Sequence, residues 1–175
     1  MYTVTGHRPK RLGLNYTERD RRLLVRFAIQ TIGIYCMPRR GGFKLSILCG
    51  MALGWDQACA EAARDLRIPY IAAIPFDGQE LAWPATAQRR YRELLRDASL
   101  IVTVGSRGNT SQAFKARNIY MIDRADTIIA LYDGVPRGGT FHAVMYAKTQ
   151  GKRVINVWED YERQLSLSSI RPSRR

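Results

Sequence analysis

Apolar and polar positions along the chain alternate between two patterns. Short, nearly continuous apolar runs occur at 2–5, 45–49, 69–74, 100–104, 126–132 and 154–157, most of them closed by glycine or proline. Runs of this length predict six strands. Between them, apolar residues recur every three to four positions. Leu23, Leu24, Phe27, Ala28 and Ile32 predict a helix over 18–35, with Thr17 as N-cap and Asp20 completing a capping box. Ala58, Ala62 and Leu66 predict a helix over 55–66. Pro84 suits the first turn of a helix reaching 97. Helices over 113–124 and 140–150 follow, the second stopped by Gly151. The segments 6–16, 38–42, 105–110 and 134–139 read as loops or turns.

Uninterrupted apolar strands are expected where helices cover both faces of a sheet. Six of them alternating with helices predict an α/β, Rossmann-like, doubly wound, mainly parallel six-stranded sheet. In such sheets ligands bind beyond the carboxyl ends of the strands, near the switch point. The loops after strands one, two and five carry the unusual residues. They converge only if strands one and five are neighbours, which gives the order 4-3-2-1-5-6. Neither an internal repeat nor a linker is visible, so we expect one domain over 1–160 and a basic, mobile tail over 161–175. A chain of 175 residues buries roughly 70% of its unfolded surface, enough to fold without a metal or disulfide staple.

Composition narrows the class. Apolar residues are 46% and charged residues 25% of the chain, the globular range. No apolar run approaches the roughly 20 residues of a membrane span, and the N-terminus has no apolar core of signal-peptide length. A cytoplasmic protein with no membrane partner is expected. Lys and Arg number 28 against 15 Asp and Glu, a net charge of +13, which attracts polyanions such as nucleic acid or free nucleotides. The 23 arginines are scattered over the whole length. The densest clusters, 19–22 and 89–92, read as solvated helix faces. Cys36, Cys49 and Cys59 have no CxxC spacing and read as buried free thiols.

The first informative loop is Gly6-His7-Arg8-Pro9. The second runs from Gly50 to Gly54, Trp55 and Asp56. The third carries Asp133, Arg137, Gly138, Gly139 and Thr140. Glycines there allow backbone close to a ligand, and helix N-termini with free N–H groups favour phosphate or carboxylate. Arg8 and Arg137 add positive charge. Of the two histidines, His7 lies in the first loop and His142 follows the third. The chain has no HxH or HExxH pattern and no metal site is expected. Walker A, GxGxxG and GxSxG motifs are also missing, and no cofactor is expected.

In their order and spacing these residues resemble the SLOG superfamily, which joins the Smf/DprA proteins and the LOG cytokinin-activating proteins, and within it the YpsA-like group. The matching positions are Thr5 to Pro9, 50–56 with Ala60 to Ala63, Pro75-Phe76, Trp83, Tyr91, Arg117-Asn118, Asp123, Tyr132-Asp133 and Gly138 to Thr140. The resemblance runs from about residue 2 to 157. It implies a Rossmann-like fold that binds a nucleotide or nucleotide-derived ligand, ADP-ribose-like or a nucleoside monophosphate, as a sensor or sequestering protein. LOG-type phosphoribohydrolases carry PGGxGTxxE. Here the segment around Arg137 to Thr140 is shorter, and the Glu position falls on Ala143.

The candidate ligand-binding residues are therefore Gly6, His7, Arg8, Gly50, Gly54, Trp55, Asp56, Phe76, Arg117, Asp133, Gly138, Gly139 and Thr140. Trp55, Phe76 or Trp83 would stack on a base. Two alternatives remain. One is an N-glycosidic hydrolase in which Asp56, Glu61 or Asp133 stabilises a cationic sugar and His7 protonates the leaving base. In it Glu61 either takes the missing carboxylate's role or faces solvent. The other is a DprA-like nucleic-acid binder, supported by the charge. Self-association into a homo-oligomer is left open.

Overall fold

The structure is a computed structural model that describes residues 1–15, 17–36 and 46–169. Its strands are β1 (Tyr2–Gly6), β2 (Ile47–Cys49), β3 (Tyr70–Ile74), β4 (Leu100–Thr103), β5 (Thr127–Leu131) and β6 (Arg153–Asn156). Its helices are α1 (Glu18–Tyr35), α2 (Trp55–Asp65), α3 (Ala85–Asp97), α4 (Thr110–Arg124), α5 (Gly138–Thr149) and α6 (Trp158–Ser169). Two 3-10 turns, Pro9–Leu12 and Arg107–Asn109, sit in the loops after β1 and β4. The sheet order is β4-β3-β2-β1-β5-β6, and every neighbouring pair is parallel. This is the order expected from loop convergence. The expected start of strand two at residue 45, the expected break at 38–42 and the last part of the tail, 170–175, lie outside the described residues.

Chain direction decides the layers. The connections β1–β2, β2–β3 and β3–β4 all step the same way along the sheet, so right-handed crossovers put α1, α2 and α3 on one face. The chain then returns from one edge to the centre, which carries α4 and α5 to the other face. There they pack on each other, as α1 and α2 do on theirs. Thr17 caps α1 by accepting from the Asp20 N–H at 3.1 Å, and Asp20 reaches back to the Thr17 N–H at 3.4 Å. The core on the α1–α3 side is built on Trp55, Phe27 and Tyr161, with ring centroids 5.5 and 5.4 Å from Phe27.

Two expectations need correction. Residues 161–169 are not a loose tail but most of α6. Tyr161 is buried, and its hydroxyl donates to the Leu12 carbonyl at 2.9 Å. Trp158 and Leu165, three residues before and four after Tyr161, pack on the same core, an i, i+3, i+7 stripe too short to stand out beside the polar residues around it. Nor are all strands covered on both faces. The edge strands β4 and β6 are largely open, with Leu100 and Ile101 exposed. All three cysteines are free and buried, and burial pushes the Cys36 thiol up to about 12. No helix among the described residues is long and apolar enough to cross a membrane.

Candidate functional site

A cleft of about 1100 Å³ opens at the carboxyl ends of β1 and β5, between the loop after β1 and the N-termini of α4 and α5. Its walls carry Arg8, Arg11, Lys115 and Arg117 against one carboxylate, Asp56. The loops after β1 and β5 are tied together beneath it. The His7 N–H donates to the Leu131 carbonyl at 3.2 Å, and the Asp133 N–H donates to His7 Nε2 at 3.1 Å. That nitrogen also lies 2.9 Å from Asp133 Oδ1. Burial lowers the His7 pKa against the pull of Asp133, which favours the neutral ring whose Nε2 accepts from the Asp133 N–H. His7 is buried and holds two loops together; it is not free to protonate a leaving group through Nε2.

Asp133 is the other half of that tie. It accepts from Arg11 Nε at 2.7 Å, from Arg11 Nη2 at 3.1 Å and from the Val135 N–H at 3.1 Å. Burial alone would raise this carboxyl, but the hydrogen bonds from Arg11 and from the Val135 N–H hold it at about 2. A carboxylate depressed in the folded state contributes stability above its unfolded value, about 3.9, and loses it as pH falls toward the folded one. Thermal unfolding between pH 5 and pH 2 should therefore show a steeper acid loss in the wild type than in Asp133→Asn. Equal acid limbs would show that the Arg11–Asp133 contact does not hold the loops.

The glycines of the three loops divide into two kinds. A Cβ on Gly6 would lie 2.5 Å from the Trp55 ring, and one on Gly50 would lie 1.5 Å from Arg117 Nη1. Gly54 has φ +104°, and its Cβ would meet the His7 carbonyl at 2.6 Å. These three make room for the protein's own groups, so the expectation that Gly50 and Gly54 bring backbone up to a ligand is corrected. Gly138 and Gly139 are different. Gly138 has φ +83° with only Arg11 Nη1 nearby, at 3.7 Å, and nothing lies within 4 Å of a Cβ on Gly139. They open α5, which has no side-chain cap and no acid in its first turn. Gly138, Gly139 and Thr140 thus present a helix N-terminus to the cleft.

Asp56 and Arg117 form a buried ion pair, with Arg117 Nη1 donating to Asp56 Oδ2 at 3.1 Å. Burial raises the Asp56 carboxyl against the opposing pull of Arg117. Arg117 Nε is buried with no hydrogen-bond partner among the described residues. It is a donor left over in the wall of the cleft.

Trp55 cannot stack on a base: it is fully buried, and its Nε1 donates to the Ile129 carbonyl at 3.4 Å. Phe76 is buried edge-on against Phe114, with centroids 5.6 Å apart, and Trp83 packs edge-on to Tyr91. Phe114 and Tyr146 are the aromatics that reach the cleft, with the Arg8 guanidinium 5.8 Å from the Phe114 centroid. Glu61 lies elsewhere. It is buried, bound to Arg21, and lines a separate cavity of about 80 Å³ between α1, α2 and α3. It neither faces solvent nor reaches the cleft. Ala143 lies in the cleft wall and supplies no polar atom. His142 is exposed and lines the same cleft. Among the described residues no group of three His, Cys, Asp or Glu side chains is placed to hold a metal ion.

The sequence reading missed Arg11, Asn109 and Lys115, which all line the cleft, as does Asn118, one of the positions that carry the resemblance. The signal was in the topology already expected. In the order 4-3-2-1-5-6 the β4–β5 connection must cross beneath three strands. That brings the start of α4 back to the switch point, and Asn109 caps this helix by accepting from the Gln112 N–H at 3.1 Å.

Comparison with known proteins agrees with this architecture. The YspA SLOG family matches residues 2–159. The SPbeta prophage-derived protein YoqJ of Bacillus subtilis is 32% identical over 143 residues, covering 71% of this chain and 83% of YoqJ. The UPF0398 protein YpsA of the same organism is 30% identical over 142 residues, covering 77% of each. Among solved structures, DNA processing protein A (DprA) from Streptococcus pneumoniae superposes with a TM-score of 0.59 at 20% identity, over 87% of this chain and 48% of that one. The structural-genomics target TM1055 gives 0.54 at 15% identity, over 87% and 71%. These two likenesses are of fold. The chain belongs to the YspA SLOG family.

Proposed function

We propose that this member of the YspA SLOG family binds a phosphate-bearing, nucleotide-derived ligand in the cleft and releases it unchanged, as a sensor or sequestering protein. The observation that carries the reading is the uncapped N-terminus of α5 at Gly138, Gly139 and Thr140, open to a cleft with a surplus of basic side chains. Free N–H groups and the helix dipole favour an anion there. The unpartnered Arg117 Nε and the Phe114 ring support the reading, one as a donor and the other as an apolar surface. ADP-ribose and nucleoside monophosphates are the ligand types of suitable chemistry.

Glycosidic hydrolysis is the poorer reading. A positioned acid or base contributes about 10²–10⁴-fold in rate, and the candidates are occupied or misplaced. Asp56 is committed to Arg117, Asp133 to Arg11 and His7, and Glu61 lines another cavity. Incubation with AMP and N6-modified AMP, followed by chromatography, should show no free base over many equivalents of substrate, while calorimetry detects AMP or ADP-ribose binding. Multiple turnovers abolished by Asp56→Asn would replace the binding account with an enzymatic one.

A further inference from the structure

Helices α1 and α3 lie on the same face of the sheet, on either side of α2. Each carries three arginines at positions i, i+3 and i+7: Arg19, Arg22 and Arg26 on α1, and Arg89, Arg92 and Arg96 on α3. All six are exposed. At about 100° per residue each triplet falls within roughly 60° of arc. The buried residues of the same helices, Leu24, Phe27, Ala28 and Ile32 on one and Ala87, Tyr91 and Leu94 on the other, lie on the opposite side. Both stripes therefore point directly away from the sheet. Arg90 Nη2 donates to Glu18 Oε2 at 2.8 Å, which fixes the two helices relative to each other.

Little on this face neutralises the stripes. Arg22 shares Glu18 at 3.2 Å, and Arg92 lies 4.0 Å from Glu80. Among the described residues no carboxylate is within ion-pair distance of Arg19, Arg26, Arg89 or Arg96. The arginine clusters that read as solvated faces thus belong to two rows of charge in which four of the six guanidiniums have no carboxylate partner among the described residues. Each row spans about 10 Å at 1.5 Å per residue, the axial length of about three phosphate steps of a duplex strand.

We propose that the α1–α3 face binds the phosphodiester backbone of a nucleic acid, without reading its sequence and separately from the cleft, whose walls include no residue of α1 or α3. Arginine forks suit phosphate oxygens. The chemistry disfavours other polyanionic partners. Both helices use their apolar faces in the core, so neither has one left to enter a bilayer. The stripes contain no aromatic or apolar anchor of the kind that centres a protein interface.

Fluorescence anisotropy with labelled duplex DNA and with single-stranded DNA and RNA, across about 50–200 mM salt, tests this. Six phosphate contacts predict a slope of log K against log salt of about −5. The triple variant Arg19→Gln/Arg22→Gln/Arg26→Gln, and its counterpart at Arg89, Arg92 and Arg96, should each reduce that slope by about 3. Thermal unfolding should be unchanged, since all six side chains are exposed. The control Gly139→Val should bind DNA like the wild type. Absence of binding at low salt overturns the proposal, and so does a slope that survives both triple variants. Loss of binding on Gly139→Val would assign the nucleic acid to the cleft instead, and equal capture of polyglutamate would show that any polyanion suffices.

Discussion

Replacing Arg117 by methionine should lower stability by about 3–5 kcal/mol, read as a shift of the urea midpoint, because it leaves the Asp56 carboxylate buried without its partner. Both side chains are buried, and the guanidinium passes directly over Gly50. The penalty should shrink as pH falls toward the ordinary carboxylate value of about 4. Burial raises Asp56, and a protonated acid is less costly to bury than an anion. A group whose folded pKa lies above its unfolded value loses stability as pH rises through that folded pKa. Replacing both partners, Asp56→Leu with Arg117→Met, should recover most of the loss, since buried ion pairs are often matched by apolar residues of similar volume. A single variant as stable as the wild type at pH 8 would show that the pair is not dry.

The same substitution at two glycines should cost much at one and almost nothing at the other. Gly50→Ala places a methyl group 1.5 Å from Arg117 Nη1 and 2.6 Å from Asp56 Oδ2. The guanidinium must leave, so an overpacking cost of about 1–3 kcal/mol adds to the broken pair. Gly139→Ala meets nothing within 4 Å and should leave thermal unfolding within a degree or two, because surface changes of this kind fall within about 0.5 kcal/mol. Circular-dichroism melts of the two variants make the comparison. Gly50→Ala melting with the wild type would refute the placement of Arg117.

Sheet order was legible because three chemically loaded loops had to meet, and parallel crossovers leave few ways to arrange that. The division among glycines was not legible. Gly50 and Gly139 both follow strands and precede helices. Only the path of Arg117, a residue 67 positions away in the chain, separates a packing glycine from a ligand-facing one. Trp55 read as a stacking platform because it opens a helix beside the glycine loop, yet Gly6 lacks a side chain for the very purpose of admitting it to the core. Glu61 was misread because its partner, Arg21, lies on another helix. Local patterns fix which residues sit at a strand end. Which of them a distant side chain has already claimed is a tertiary fact.

The central claim is that a phosphate-bearing ligand sits on the first turn of α5. Native mass spectrometry of the gently purified protein, followed by identification of whatever it releases, measures this directly. The account predicts a phosphate-bearing, nucleotide-derived compound on the wild type and its loss from Gly139→Val, whose side chain enters the open space in front of the helix while the melting temperature is kept. A wild type that carries no such compound and takes up neither AMP nor ADP-ribose when they are supplied, or a Gly139→Val variant that retains the ligand in full, would contradict it.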